Sequence, residues 1–497
     1  MNISTITGNK IIKGTFILTL SSFISRIIGF LFRIFLTGKI GAEALGIIQL
    51  IFPIQIICCS ICGFGFENAI SKLTAESKIY KDNSKNTYFI NGVFISFLIS
   101  IIVMFFTFSF SKIISNRYIL EPRCNVLLKI MSISIPISSI HYCIYGYYLG
   151  HRNTKIPAIS QIVEQIVRVL SICIFIFIAD MYNYRITPSY VITGTVIGET
   201  SATIYCLLML RKSKVSLNPE DINKSNIKKI LSLSTPLSLN RLLSSILQSF
   251  QNILIPNMLI IYGLTNSESL GVYGIVTGIV IPLVFFPSAI IHSFCLMILP
   301  TISEANSRKN NSKINFATNK SIELCIIFGV FCSTIFYNYG NVIGELLLNS
   351  NDVGKYVSLL GLICPFIYIS AILTSIINGL GHTGITFLIN IITSVIQIFL
   401  IVTVIPKYGV LGFIYAFIIG NFINSSILFV YTKTKIKISA SIIYTLILSV
   451  VTTLFISNFA NLVLSCVGNK IIKIGCHFCI YTIWYCVIFR KKIFQLG

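Results

Sequence analysis

The chain has 497 residues, 55% of them hydrophobic and only 11% charged, with a mean hydropathy of +0.87. A soluble domain carries roughly a quarter charged residues, so a water-soluble fold is excluded. The formal net charge of +23 is scattered over many short loops and forms no single basic face, which argues against a nucleic-acid partner.

A membrane-crossing helix needs about 20 mainly apolar residues for about 30 Å of hydrocarbon. Such runs predict an all-α, polytopic membrane protein of about 14 transmembrane helices. In chain order the spans are 14–37, 44–70, 88–111, 125–149, 158–179, 189–210, 230–261, 272–299, 321–339, 356–379, 384–405, 410–431, 440–457 and 471–489. No small-residue cleavage site precedes the first run, so it is expected to stay as a helix. Pro53, Pro136, Pro236, Pro282, Pro287 and Pro365 lie inside spans, where kinks are expected because neighbouring helices satisfy the freed carbonyls. One alternating set of loops carries about three times the lysine and arginine of the other, which places both termini in the cytoplasm of a cell (plasma) membrane.

The first span carries Ser22, Arg26, Gly29 and Arg33 at i, i+4, i+7 and i+11, a single helical stripe. An arginine at the bilayer centre costs about 2.5–3.5 kcal/mol, so the stripe is expected to face a cavity or a partner. Arg33 can instead snorkel to the headgroups. At the end of span two, Glu67 and Asn68 gate the cavity or sit at the interface. The fifth span repeats the polar pattern with Gln161, Glu164, Gln165 and Arg168, where Glu164 and Arg168 can also form an internal i, i+4 ion pair. The seventh carries Arg241, Gln248 and Asn252. These three stripes are expected to line one hydrophilic, basic cavity. A guanidinium keeps its charge and presents forked donors that suit phosphate oxygens. Hence Arg26, Arg33 and Arg241 are read as a clamp for pyrophosphate, with the polar side chains meeting sugars.

Other candidates carry less chemistry. Cys59 with Cys62 and Cys476 with Cys479 have C-x-x-C spacing, but both pairs lie in apolar runs without further ligands and are read as packing residues. His141, His292 and His382 are read as satisfied or interfacial, with proton carriage as the alternative. No metal and no cofactor are expected.

Across the polar stretch 211–229 the chain echoes itself at an offset of about 230 residues. Gly46 and Glu76 answer to Gly274 and Glu304; Pro136, Leu149, Gly150 and His151 answer to Pro365, Leu380, Gly381 and His382; Arg26 in the first span has a counterpart, by span, in Arg241 of the seventh. The expected organisation is two parallel six-helix lobes, 1–215 and 216–435, followed by two additional helices in 436–497. Such repeats imply alternating access.

The run Ser25-Arg26-Ile27-Ile28-Gly29-Phe30 with Arg33, then Gly41-Ala42-Glu43-Ala44-Leu45-Gly46 and Pro53, then Ala69-Ile70-Ser71-Lys72-Leu73, resembles the stage V sporulation protein B family. So does Ala158-Ile159-Ser160-Gln161-Ile162-Val163-Glu164-Gln165-Ile166-Val167-Arg168. This is a family of the multidrug/oligosaccharidyl-lipid/polysaccharide exporter superfamily, alongside the lipid II flippases. The resemblance implies a membrane flippase, not an enzyme, for undecaprenyl-pyrophosphate-linked saccharide precursors of spore cortex peptidoglycan. It carries the cavity arginines onto Arg26 and Arg33; Arg241 corresponds only by its place in helix seven, and no arginine precedes Lys72 in span two. The implied partners are a lipid-linked oligosaccharide, membrane lipids and cell-wall synthesis proteins, with the chain acting as a monomer. Two alternatives remain: a cation-coupled multidrug exporter of the same superfamily, which would want buried carboxylates, and a membrane-embedded glycosyl-transfer enzyme. Loops of about 20 residues are too small for the soluble domain of about 50 residues or more that the enzyme would need.

Overall fold

The computed structural model describes residues 3–79, 85–213, 223–463, 476 and 479–483. Among these the chain is helical from end to end. The first half contains α1 (Ile3–Cys59), α2 (Gly65–Ile79), α3 (Lys85–Ser109), the short α4 (Ser111–Ile113), α5 (Cys124–Ser132), α6 (Ser134–Gly150), α7 (Lys155–Met181), α8 (Pro188–Lys212) and α9 (Lys224–Tyr262). The second contains α10 (Asn266–Ile275), α11 (Ile281–Phe285), α12 (Ser288–Ser307), α13 (Asn311–Leu348), α14 (Asn351–Gly361), α15 (Cys364–Gly379), α16 (Thr383–Lys435) and α17 (Ser441–Val463).

The two longest helices, of 57 and 53 residues, are each broken by a glycine. Gly41 at φ 84°, ψ 164° divides α1, and Gly409 at φ 57°, ψ −129° divides α16. Only glycine enters such regions without strain. With both breaks counted, the described helices account for thirteen of the expected spans; the last, 471–489, lies mostly outside the described residues. Large apolar side chains such as Ile102, Phe105, Phe177 and Phe399 stand exposed on the helix surfaces. That is the dressing of a multi-pass membrane protein, whose helices satisfy their own backbone groups and turn apolar side chains to lipid.

The packing forms two units, one of residues 1–257 with 265–274, the other of 258–264 with 275–497. By contact α9 as far as Asn257 belongs to the first unit, whereas the division read from the repeat falls at 215/216. In the first unit Phe66, Ile70, Leu73, Phe89, Tyr147 and Tyr148 form an apolar core.

The internal repeat recurs at the level of contacts. A Cβ on Gly150 would lie 2.7 Å from the Ser71 carbonyl and 2.8 Å from Thr74 Cβ; one on Gly379 would lie 2.9 Å from the Leu299 carbonyl and 3.0 Å from Ile302 Cβ. All three positions are displaced by about 228 residues, so the same helix crossing is built once in each unit. The contact equivalent of Gly150 is thus Gly379, a correction of the motif pairing with Gly381, where an added Cβ meets nothing within 4 Å among the described residues. One turn earlier, Gly146 meets the Glu67 carbonyl, and its equivalent Ser375 donates its hydroxyl to the Cys295 carbonyl at 2.8 Å. Both halves also bend by 43° at matching places, α5 against α6 and α14 against α15, next to Pro136 and Pro365. Within the first unit, Gly46 and Gly274 press backbone on backbone, with no side chain between them.

Candidate functional site

The first unit encloses a cavity of about 460 Å³. Its walls come from five stretches of chain, and local sequence explains how each reaches it. The π-helical segment Ser60–Phe64, seven residues after Pro53, widens one turn, as π-bulges at functional sites do. It joins α1 to α2, whose first turn carries Glu67. On α7, Gln161, Glu164 and Arg168 share a face at i, i+3 and i+7 and reach the cavity together. On α8, Gly198 lets the backbone approach α7, where a Cβ would stand 2.8 Å from the Glu164 carbonyl; the neighbouring Glu199 thereby reaches the cavity. From α6 come His141, Tyr142 and Tyr145.

On α9, Arg241 places its guanidinium 4.8 Å from the Phe64 ring centre, a cation–π contact. The helix is held there by small residues. Ser245 and Ser60 hydroxyls lie 3.1 Å apart, and Gly65 seats against Ser234 and Ser238.

Inside the cavity the charges are paired. Arg168 Nη2 donates to Glu164 Oε1, and Nη1 donates to Gln165 Oε1 at 3.3 Å. The internal i, i+4 ion pair therefore forms. The Nε of Arg168 is buried without a hydrogen-bond partner among the described residues. His141 Nδ1 lies 2.9 Å from Glu199 Oε1, and its Nε2 lies 3.3 Å from Ser160 Oγ. Gln161 bridges two helices: its Oε1 accepts from Ser22 Oγ at 3.0 Å, and its Nε2 donates to Tyr145 Oη at 3.2 Å.

Of the residues singled out in the sequence, Gln161, Glu164, Arg168 and Arg241 line the cavity. Gln165 is buried beside it against Gly29. The stripe on α1 faces α7, through Ser22 to Gln161 and Gly29 to Gln165. On that stripe Arg26 is exposed and Arg33 half-buried, within electrostatic reach of Arg168; neither is in the cavity wall. Gln248 is exposed and Asn252 half-buried on α9, also outside it.

The expectation of a basic cavity is corrected here. Glu67, Glu164 and Glu199 stand beside Arg168 and Arg241, so the lining is of mixed charge. Sequence reasoning missed Glu199 altogether. The signal was available, because an ionisable residue in the middle of span six is functional by default.

At the end of the unit bearing Gly41, a second polar cluster lies outside the hydrocarbon spans. Arg123 grips Glu121 with two nitrogens, at 2.7 and 3.0 Å, and reaches Glu43 at 2.6 Å. Asn266 donates to Glu121 at 3.1 Å and Ser267 to Glu43 at 2.7 Å. Burial works to raise the Glu121 pKa, but hydrogen bonds from Arg123 and Asn266 prevail and hold it below the usual carboxylate value.

Comparison with known proteins fits this architecture. Residues 11–306 match the family described as polysaccharide biosynthesis protein. Stage V sporulation protein B of Bacillus subtilis strain 168 is 23% identical over 421 residues, 82% of this chain and 81% of that protein. Lipid II flippase MurJ of the same organism is 23% identical over 337 residues, 64% of this chain and 62% of its own length. Among solved structures, a lipid II flippase MurJ in an inward closed conformation superposes with a TM-score of 0.73 at 18% identity, over 96% of this chain and 99% of that one. An inward-facing MATE family transporter of the MOP superfamily gives 0.69 at 13% identity, over 82% and 94%.

Proposed function

Because this chain belongs to the polysaccharide biosynthesis protein family, we propose that it is a transporter, a flippase that carries a saccharide on a polyprenyl pyrophosphate across the membrane by alternating access of its two repeats. Similarity over most of its length to stage V sporulation protein B and to a lipid II flippase supports the substrate class and points to a precursor of spore cortex peptidoglycan. The repeat lobes in this reading are 1–215 and 216–435, with both termini cytoplasmic.

The observation that carries the reading is the pair of cavity guanidiniums, Arg168 and Arg241, beside the polar groups of Gln161 and Tyr145. Fixed forked donors suit a pyrophosphate, and amide and phenol groups suit sugar hydroxyls. Arg26 and Arg33, next along α1, extend the basic path, and Gln165, Gln248 and Asn252 are its outer polar contacts. A negative-inside potential, worth about 2.3 kcal/mol per charge per 100 mV, favours outward movement of such an anion.

The test is reconstitution of the purified protein into liposomes with fluorescent lipid II in the inner leaflet. Protein-dependent appearance of the label in the outer leaflet is expected; a rate equal to that of empty liposomes excludes the function.

A second reading, a cation-coupled drug exporter, draws on the three cavity carboxylates. Two of them already face internal cations or donors, Glu164 on Arg168 and Glu199 on His141. Protein-dependent efflux of a cationic dye without movement of lipid II would favour this reading.

A further inference from the structure

His141 has an acceptor on each side. With the Ser160 hydroxyl donating to the Pro157 carbonyl at 2.8 Å, its oxygen accepts from His141 Nε2 at 3.3 Å. Glu199 is acceptor-only when ionised, and it faces Nδ1 at 2.9 Å. In that Ser160 rotamer both ring nitrogens are donors, or Glu199 carries the proton and donates it to Nδ1; with the Ser160 hydroxyl turned to Nε2, a neutral imidazole stands beside an ionised carboxylate. The first arrangement holds one proton that the second lacks.

We propose that the His141–Glu199 pair is a proton-binding site, open to the cavity, whose occupancy is linked to that of the anionic passenger. The linkage part rests on the pyrophosphate reading above. The step makes one N–H or O–H bond and breaks none in the protein; the proton comes from cavity water and returns to it.

The charges that face His141 decide the sign of the linkage. One ring nitrogen of His141 and one carboxylate oxygen each of Glu164 and Glu199 all lie within 4.8 Å of one another. Glu164 is paired with Arg168; Glu199 faces His141 directly, with the Ser138 hydroxyl and, at longer range, Arg168 as its other partners. Phosphate oxygens drawn to Arg168 compete with Glu164 for its guanidinium and leave two carboxylates beside the imidazole. Proximity of uncompensated negative charge favours protonation. Glu67, facing His141 from α2, acts in the same sense, and Arg241 opposes it. The Cys206 thiol touches His141, and Cys59, Tyr142 and Tyr145 share the wall; thiols and phenols are neutral near pH 7 and leave the balance unchanged. Anion binding therefore tightens proton binding, and by reciprocity the proton tightens anion binding.

The test uses full-length protein in nanodiscs with farnesyl pyrophosphate as probe, titrated calorimetrically in two buffers of different ionisation enthalpy. At a pH just above the ligand-free midpoint read by NMR, where the pair is largely unprotonated, wild type should take up more protons per ligand, up to about one, than His141→Gln or Glu199→Gln. Equal uptake in all three overturns the linkage. The site itself is read without ligand, by nitrogen-15 NMR of labelled histidine between about pH 5 and pH 9. The His141 imidazole should lose its second proton at lower pH in Glu199→Gln; an unchanged midpoint overturns the site. Should farnesyl pyrophosphate not bind, the proposed passenger fails and the imidazole titration still decides the proton site. A stoichiometric metal ion in wild type that both variants lose overturns the proposal. Glu199→Gln, nearly isosteric, serves where His141→Gln does not assemble.

Discussion

Arg241 is the cavity cation least tied to the protein, since its guanidinium rests on the Phe64 ring while Arg168 is held by Glu164. A hydrogen bond to a charged group contributes about 1.5–3 kcal/mol, so Arg241→Ala should slow lipid II translocation about 10- to 100-fold at equal membrane abundance. Arg241→Lys should recover only part of the rate, because it keeps the charge but loses the planar fork. The Arg123 cluster gives a pH prediction of different character. Its Glu121 has a folded pKa below the unfolded value. The stabilisation it contributes is full above the unfolded value and is lost as pH falls through the folded one. Melting of the purified protein should show a loss of stability on acidification below about pH 4. Arg123→Ala should flatten that slope and cost about 1–3 kcal/mol at neutral pH; an unchanged profile would show that the cluster stabilises nothing.

Between helices, the site depends on where backbone can meet backbone. Gly198 brings α8 onto α7, with Glu164 and Arg168 as its immediate neighbours. In Gly198→Ala the added Cβ would need to displace α8, because the nearest atom is a carbonyl and not the end of a flexible side chain. The expected loss is about 1–3 kcal/mol, the usual cost of overpacking, read as a lower melting temperature together with a disturbed His141 signal. At Gly41 the constraint is conformational. Its φ of 84° with ψ of 164° lies in a region that only glycine populates, which explains how a helix as long as α1 turns back to make two spans.

For the whole molecule, the repeat is a physical statement about equivalent contacts. Gly150 on Ser71 and Thr74, and Gly379 on Leu299 and Ile302, are the same crossing in two units. Gly150→Val and Gly379→Val should therefore destabilise the protein by similar amounts, about 1–3 kcal/mol each, and a loss confined to one of them would deny the equivalence. The membrane itself enforces the rest of the architecture. With Ile102, Phe105 and Phe177 outside and backbone polar groups bonded within each helix, no soluble arrangement of this chain is compatible with its surface.

Helical class and multi-pass character were legible in the residues because hydrocarbon thickness and helical rise fix how long an apolar run must be, and the repeat offset was legible from motifs recurring in the same order. The α7 face was legible too, since Gln161, Glu164 and Arg168 obey helical spacing wherever the helix is placed. What required the folded molecule was pairing across helices. Nothing in the spacing of α1 tells that Ser22 and Gly29 turn to α7 while Arg26 stays exposed. Nor does it tell that Glu199, 58 residues from His141, becomes its hydrogen-bond partner. Periodicity is a property of one helix, whereas a cavity's charge is a sum over several, and only their packing decides which side chains enter that sum.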